Sequence, residues 1–252
     1  MFKPLIVALQ LLTRIPIPVE IEATEQQFGR SILFYPVVGL LIGLILYGLA
    51  NMLPENSLIL NAAIITVLWI VLTGGLHVDG LGDSADAWVG GMGDRQRTLD
   101  IMKDPYCGPM GVIAIVSVIL LKFAAFYTVL QQNHLLLLLL IPMVGRAQIL
   151  LLFLTTPYVR EGGMGSVLST HLPKYSAWII WGVVLLFWCL LPGVESPPQL
   201  QSEMWIGLAV VMLFFILFRR AIMQRIGGTT GDSAGALIEL SETILLVMIA
   251  LQ

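Results

Sequence analysis

Long apolar stretches dominate the chain, and the short segments between them carry most of its charged residues. Several stretches, such as "SILFYPVVGLLIGLILYGLA", approach the roughly 20 residues that an α-helix needs to cross a bilayer. We predict membrane-spanning helices at about 32–52, 58–76, 111–131, 135–155, 177–192, 204–218 and 234–251. The pattern predicts an all-α fold, a polytopic integral membrane helical bundle of about seven transmembrane helices, with residues 1–252 forming a single domain.

The composition excludes an ordinary soluble domain. Hydrophobic residues make up 58% of the 252 residues and charged residues 12%, and the mean hydropathy is +0.91. A soluble domain of this length needs a far more charged surface. The net charge of −3 indicates no particular partner, and we expect membrane lipid around the chain and no bound nucleic acid.

The basic residues indicate the orientation of the bundle. If the connections alternate between two sides, one side receives nearly all of them: Lys3, Arg14, Arg30, Arg95, Arg97, Lys103, Arg160, Lys174, Arg219, Arg220 and Arg225. Lys122 and Arg146 fall inside predicted spans. The positive-inside rule then predicts a cytoplasmic N-terminus. The apolar run from Leu5 to Leu12 is too short to span, and we predict a short helix at the membrane interface.

Two similar acidic motifs lie in connections predicted on that cytoplasmic side, 77–110 and 219–233. They read "GGLHVDGLGDSADAW" at 74–88 and "GGTTGDSAGA" at 227–236. If the first is helical, Asp79, Asp83 and Asp86 lie within about 60° of one another. Asp232 belongs to the second motif, and Glu239 and Glu242 follow it within an apolar segment. Each motif thus predicts a row of carboxylates near one end of a helix.

Rows of carboxylates near lipid need a compensating positive charge. Their oxygen ligands suit Mg²⁺, with Mn²⁺ as an alternative, and a substrate diphosphate would complete the coordination. We predict Asp79, Asp83, Asp86 and Asp232 as the main metal ligands, with Glu239 or Glu242 completing or supporting the shell. Asp83 and Asp86 are the alternative candidates for the catalytic base. The competing interpretations are a solvated acidic surface and, for Asp232, a helix cap.

Other polar residues are candidates for binding an anionic substrate. Arg146 and Lys122 lie too deep for simple snorkelling, so they either pair with the buried acids or line a polar cavity. The full set of predicted substrate contacts is Arg14, His77, Lys103, Asp104, Arg146 and Ser166.

Taken together, "LLTRIPIP", "GGLHVDGLGDSADAW", "IMKDPYCGPMG" and "GGTTGDSAGALIELSE" resemble the adenosylcobinamide-GDP ribazoletransferases, or cobalamin synthases, in the same order. The resemblance covers essentially the whole chain. Gly82, Ala87 and Lys103 depart from the residues common in that family, and Lys103 lacks the bidentate geometry of arginine.

The resemblance implies a reaction. α-Ribazole, or its 5′-phosphate, would join adenosylcobinamide-GDP with Mg²⁺, releasing GMP and giving adenosylcobalamin or its phosphate. It also implies the cytoplasmic (inner) membrane of a bacterium or an archaeon, with the active site facing the cytoplasm. The sequence leaves open whether the chain forms a homo-oligomer.

Two rival functions are compatible with acidic residues in a membrane bundle. A CDP-alcohol phosphatidyltransferase-like enzyme also displaces a nucleoside monophosphate, but its usual motif is one continuous acidic block. A cation-coupled secondary transporter would place its acids near the middle of the membrane between matching halves. Here the acids are split between two distant segments at one predicted face, which favours neither rival.

Overall fold

The computed structural model describes residues 3–19, 22–160, 162–190 and 198–251. Within these ranges the regular structure is helical, apart from an isolated bridge between Tyr158 and Thr229. The helices are α1 (Lys3–Leu12), α2 (Glu25–Ser31), α3 (Tyr35–Met52), α4 (Leu58–Thr73), α5 (Leu76–Gly90), α6 (Arg95–Ile101), α7 (Pro109–Gln132), α8 (Leu137–Thr155), α9 (Met164–Thr170), α10 (Lys174–Leu190), α11 (Pro198–Ile226) and α12 (Gly231–Ala250).

The predicted all-α, multi-pass membrane fold is confirmed. Among the described residues, six helical segments are long and apolar enough to span a bilayer: Glu25–Met52, Glu55–Thr73, Pro109–Gln132, Leu137–Thr155, Met204–Ile226 and Gly231–Ala250. Met164–Thr170 and Lys174–Leu190 meet at 95° and would give a seventh span if counted as one. The short N-terminal helix is present as α1, and its position at the interface stays a prediction.

The predicted connections that carry the acidic motifs are largely helical instead. The 77–110 connection contains α5 and α6, and α11 continues to Ile226, so only residues 227–230 separate it from α12. The first motif is therefore helical, which is the condition under which Asp79, Asp83 and Asp86 were predicted to form a row.

Two glycines separate α4 from α5. Gly74 and Gly75 have φ values of 62° and 71°, a left-handed conformation that ends α4 three residues before the predicted span does. The Leu72 carbonyl, released by this break, accepts a 2.7 Å hydrogen bond from the Arg14 amide. Arg14, two residues after the end of α1, therefore supplies the hydrogen bond that the helix break removes from the Leu72 carbonyl.

The long helices pack antiparallel through glycines. On α3, Gly39 lies against Pro142 and Gly43 against Leu139 of α8, so the two backbones are close. Gly145 of α8 faces Glu242 of α12. The bridge between Tyr158 and Thr229 places the end of α8 and the start of α12 at the same end of the bundle. We call it the motif end, because both acidic motifs lie there.

Candidate active site

The two acidic motifs meet where α5 crosses the start of α12. A methyl group at Gly80 would lie 2.8 Å from the Asp232 carbonyl oxygen and 3.1 Å from its Cα. Three residues earlier on α5, the His77 backbone faces Gly235 of α12. The glycines of the motifs thus permit the close approach that brings Asp232 beside the α5 aspartates.

The start of α12 leaves the Asp232 side chain free of capping. Thr230 is the N-cap: its hydroxyl accepts from the Ser233 amide at 3.2 Å, while the Ser233 hydroxyl accepts from the Thr230 amide at 2.9 Å. This reciprocal capping box satisfies the first turn of the helix. The sequence left open whether Asp232 caps this helix or binds a metal. Because Thr230 is the N-cap, Asp232 does not have the capping role.

A segment that follows α8 holds the second motif in place. Thr229 donates its amide to the Pro157 carbonyl at 2.9 Å, and its carbonyl accepts from the Val159 amide at 3.0 Å. This pairing brings Arg160 to Asp232, with 3.1 Å between Nη1 and Oδ2.

We call Asp79, Asp83, Asp86 and Asp232 the acidic site. Asp79 is exposed and the other three are half-buried. Burial, followed by the charges of Asp79, Asp232 and Asp86, raises the pKa of Asp83 to about 6, and Arg160 opposes this shift. The site thus holds more negative charge than Arg160 neutralises.

Asp86 differs from the other members of the acidic site because backbone amides already bind it. Its carboxylate accepts from the Gly108 amide at 2.6 Å and from the Gly111 amide at 2.9 Å, one bond to each oxygen. These amides lie at the N-terminus of α7, where the helix dipole favours a negative charge. Asp86 therefore ties α7 to α5, and Asp83 is the better placed of the two candidate bases.

A second group of charged side chains lies deeper between α7, α8 and α12. We call Lys122, Arg146, Glu239 and Glu242 the buried ion network. Lys122 Nζ lies 2.6 Å from Glu239 and 3.3 Å from Glu242, and Arg146 pairs with the other oxygen of Glu242. All four side chains are at most 5% exposed.

Both glutamates are paired with cations: Lys122 contacts Glu239 and Glu242, and Arg146 contacts Glu242. Their role in completing or supporting the metal shell stays a prediction. Lys122 and Arg146 were predicted either to pair with the buried acids or to line a cavity. In the structure they pair with the acids.

The remaining predicted substrate contacts fall into two groups. Arg14 and His77 line a cavity of about 630 Å³ that also includes Asp79 and Asp232. Arg146 is fully buried and binds His77 instead, with 3.4 Å between its Nη2 and His77 Nδ1.

Three further predicted contacts, like Arg146, are not among the residues that line this cavity: Lys103, Asp104 and Ser166. Lys103 and Asp104 are exposed in the turn after α6, and Asp104 accepts from the Tyr106 amide at 3.0 Å. The Ser166 hydroxyl donates to the Gly163 carbonyl at 2.9 Å. Asp104 and Ser166 therefore make local hydrogen bonds within their own turns.

Sequence reasoning missed Arg160 and Tyr158 as site residues. Both line the cavity. Arg160 was counted only toward the orientation of the bundle, since its pairing with Asp232 depends on the Thr229 contact across more than seventy residues. The signal available was its position directly after a span, beside the glycine-rich "EGGMG".

The donor set of the acidic site fits Mg²⁺ in its chemistry. Mg²⁺ takes oxygen ligands and is usually held by one or two carboxylates together with substrate phosphates and water. Asp79 and Asp232 offer such carboxylates at the cavity. Across the described parts of the chain, no three His, Cys, Asp or Glu side chains converge to enclose a metal alone. The arrangement therefore suits a metal whose shell is completed by a phosphorylated substrate.

Comparison with known proteins gives a consistent picture. A family model described as cobalamin-5-phosphate synthase matches residues 4–250. The chain is similar to proteins named adenosylcobinamide-GDP ribazoletransferase. One is from Acinetobacter baumannii (strain ACICU), with 52% identity over 246 residues that cover 96% of this chain and 95% of that protein.

Two further relatives carry the same name. The protein of Pseudomonas fluorescens (strain Pf0-1) is 46% identical over 248 residues, covering 98% of this chain and 99% of its own length. That of Stutzerimonas stutzeri (strain A1501) is 48% identical over 249 residues, covering 99% and 98%. No solved structure matches the chain.

Proposed function

The chain belongs to the cobalamin-5-phosphate synthase family, and from this we propose that it is an adenosylcobinamide-GDP ribazoletransferase. It joins α-ribazole, or α-ribazole 5′-phosphate, to adenosylcobinamide-GDP and releases GMP. The product is adenosylcobalamin or its 5′-phosphate. The family match over residues 4–250 is supported by near-complete coverage of relatives that carry this name.

The reaction is a displacement at phosphorus. A ribose hydroxyl oxygen of the ribazole forms a bond to the phosphorus attached to cobinamide, and the bond from that phosphorus to the GMP oxygen breaks. The hydroxyl proton must pass to a base, and the leaving GMP carries additional negative charge. An active site for this step therefore needs a carboxylate, a cation and a place for two substrates.

We propose that the reaction takes place at the acidic site, because α5 and α12 meet there in the contact between Gly80 and Asp232. Asp79 and Asp232 would hold Mg²⁺, with Mn²⁺ as an alternative, and the metal would supply charge neutralisation for the diphosphate and the departing GMP. Arg160 orients Asp232 and offers a positive charge to a phosphate at the same edge of the cavity.

Asp83 is our candidate for the base. It is half-buried on the same helix as Asp79, and its neighbouring carboxylates favour uptake of a proton. Asp86 is held by the Gly108 and Gly111 amides and would keep α7 in position.

We further propose that the protein lies in the cytoplasmic (inner) membrane with its motif end toward the cytoplasm. The support is the concentration of Lys and Arg in the connections at that end. Several of these cations also bind helix ends: Arg95 donates to the Ile226 carbonyl at 2.8 Å, and Arg219 donates from Nε to the Thr155 carbonyl at 3.1 Å.

The test is incubation of the purified protein in proteoliposomes with adenosylcobinamide-GDP and α-ribazole. We expect GMP release that requires both substrates, stops with a chelator and resumes with Mg²⁺. Parallel reactions with a CDP-alcohol and a cation-flux assay test the two rival functions. Absence of ribazole-dependent GMP release from folded protein, with or without either metal, would contradict the proposal.

A further inference from the structure

The lining of the cavity at the motif end combines charged and apolar side chains. Its charged members include Asp79, Asp232 and Arg160. Tyr35, Ile149, Phe153, Leu168 and Ile238 contribute apolar surface, which we call the apolar wall. The cavity volume, about 630 Å³, lies within the range of roughly 300–1,000 Å³ typical of pockets for small ligands. A nucleoside fits within this volume, whereas a corrinoid nucleotide is several times larger than a nucleoside.

His77 also lines this cavity, and its contact with Arg146 fixes which ring nitrogen carries the proton. His77 Nδ1 lies 3.4 Å from Arg146 Nη2. A guanidinium can only donate hydrogen bonds, so Nδ1 must be the acceptor and the neutral imidazole carries its hydrogen on Nε2. Arg146 and the buried ion network behind it therefore make His77 a hydrogen-bond donor through Nε2.

His77 Nε2 is a buried polar atom that lacks a hydrogen-bond partner within the described residues. The residue as a whole is 2% exposed. A buried donor without an acceptor costs roughly 1–3 kcal/mol, so such atoms are rare and call for a physical explanation. An acceptor supplied by a bound ligand would remove that cost.

We propose that the cavity holds the base of the ribazole, with His77 Nε2 donating to its free ring nitrogen. This inference rests on the proposed function. The base is a flat bicyclic benzimidazole that is apolar except for one ring nitrogen, because the other nitrogen is bonded to the ribose. The apolar residues of the lining suit its rings, and His77 Nε2, a buried donor without a partner among the described residues, suits its single acceptor.

This placement also orients the sugar. With the base against Tyr35 and Phe153, the ribose extends toward the edge formed by Asp79 and Asp232. Its hydroxyl then lies at the carboxylates, while the bulky corrinoid approaches from outside the cavity. His77 is thus a specificity-determining residue for the nucleoside and takes no part in the transfer of phosphorus.

The test compares α-ribazole with its indole analogue, in which a C–H group replaces the free ring nitrogen. The wild-type enzyme should prefer α-ribazole by roughly tenfold in kcat/KM, the value of one buried hydrogen bond. In His77→Asn, whose amide can still accept from Arg146 but does not extend to Nε2, this preference should fall to about onefold. His77→Gln restores a donor near Nε2 and should recover part of the preference.

Gln148→Leu is the matched control. Gln148 lies two residues from Arg146, is buried and also has an unpartnered atom, but it does not line the cavity. Its removal should leave the preference for α-ribazole unchanged. Equal loss of preference in Gln148→Leu and His77→Asn would overturn the proposal, because the effect would then be a general one of the buried interior.

A second variant tests the cavity if the His77 variants do not fold. Leu168→Trp narrows the apolar wall and should raise the KM for α-ribazole roughly tenfold, while the KM for adenosylcobinamide-GDP changes by less than about twofold. An equal rise in both KM values would overturn the placement.

The two proposals fail in distinguishable ways. If wild-type enzyme releases GMP with α-ribazole but uses the indole analogue equally well, the base subsite is wrong and the proposed function stands. If neither nucleoside supports GMP release by folded enzyme, the proposed function itself fails.

Discussion

The acidic site and the buried ion network both take carboxylates from α12, at two depths along that helix. Asp232 lies in the first turn of α12, and Glu239 and Glu242 follow it two to three turns later. Glu239 and Glu242 each contact a Lys or Arg, whereas among the described residues of the acidic site only Asp232 is paired with a cation, Arg160. Position along the helix separates charges that hold the fold from charges left for a ligand.

The difference follows from solvation. A charge in the interior must be paired, since removing one partner leaves the other uncompensated at a cost of several kcal/mol. A carboxylate beside water keeps part of its hydration, so it can remain ionised without a partner until a cation binds with the substrate. Substitutions that neutralise one carboxylate in each group should therefore have different consequences.

The largest expected effect on catalysis comes from Asp83→Asn. Loss of the base should lower kcat by roughly 10²–10⁴-fold, while insertion and thermal stability stay normal. GMP release in proteoliposomes and thermal unfolding in detergent measure the two outcomes. Asp100→Asn, which changes an exposed carboxylate on α6, is the control and should retain full activity. Full turnover by Asp83→Asn would remove Asp83 from the mechanism.

The largest expected effect on stability comes from Glu242→Gln. This change leaves Arg146 buried without its anion and should destabilise the protein by about 3–5 kcal/mol. The folded fraction should still show the wild-type Mg²⁺ concentration for half-maximal activity. The double variant Arg146→Leu with Glu242→Leu should be more stable than the single one. Normal stability combined with a weakened Mg²⁺ response would place Glu242 in the metal shell.

Gly80→Ala tests the contact between α5 and α12. The added methyl group would lie 2.8 Å from the Asp232 carbonyl, so the helices must separate, and a displacement of about 1 Å can lower activity roughly 10²-fold. Gly235→Ala is the matched variant. Its methyl group would lie 3.4 Å from the His77 Cα, an ordinary contact, and activity should change little. Equal activities of the two variants would show that the spacing of the motifs is not critical.

A smaller effect is expected for Arg160→Gln. The side chain is 34% exposed, and its loss removes one positive charge from the cavity edge. We expect the KM for adenosylcobinamide-GDP to rise roughly tenfold, the value of a charge-assisted hydrogen bond. Initial rates against substrate concentration provide the measurement, with exposed Arg97→Gln as the control. An unchanged KM would leave Arg160 as a support for Asp232 only.

The smallest effects are expected for Lys103→Ala and Asp104→Ala. Both residues are exposed and outside the cavity lining, so their removal should change kcat/KM by less than about twofold. A loss of tenfold or more in either variant would restore them as substrate contacts, as the sequence motif suggested.

Periodicity and hydropathy were sufficient to predict most helices of the bundle. They were insufficient to predict the structure around the acidic motifs. The span predicted at 135–155 corresponds closely to α8, Leu137–Thr155, because an uninterrupted apolar run leaves few alternatives in lipid. The polar "GGLHVDGLGDSADAW" was placed mostly in a connection, yet it forms α5. Its helix is stabilised by packing against α7 and α12, which a local pattern does not record.

The sequence by itself determined an all-α membrane protein, the two acidic motifs and their family resemblance, because these depend on local composition and residue order. Only the tertiary structure decided which acids share a site. It brought Arg160 to Asp232, bound Asp86 to the amides at the start of α7, and paired Glu239 and Glu242 with Lys122 and Arg146. The physical reason is that the state of a carboxylate depends on the charges and donors within a few ångströms of it. Those neighbours come from helices far apart along the chain.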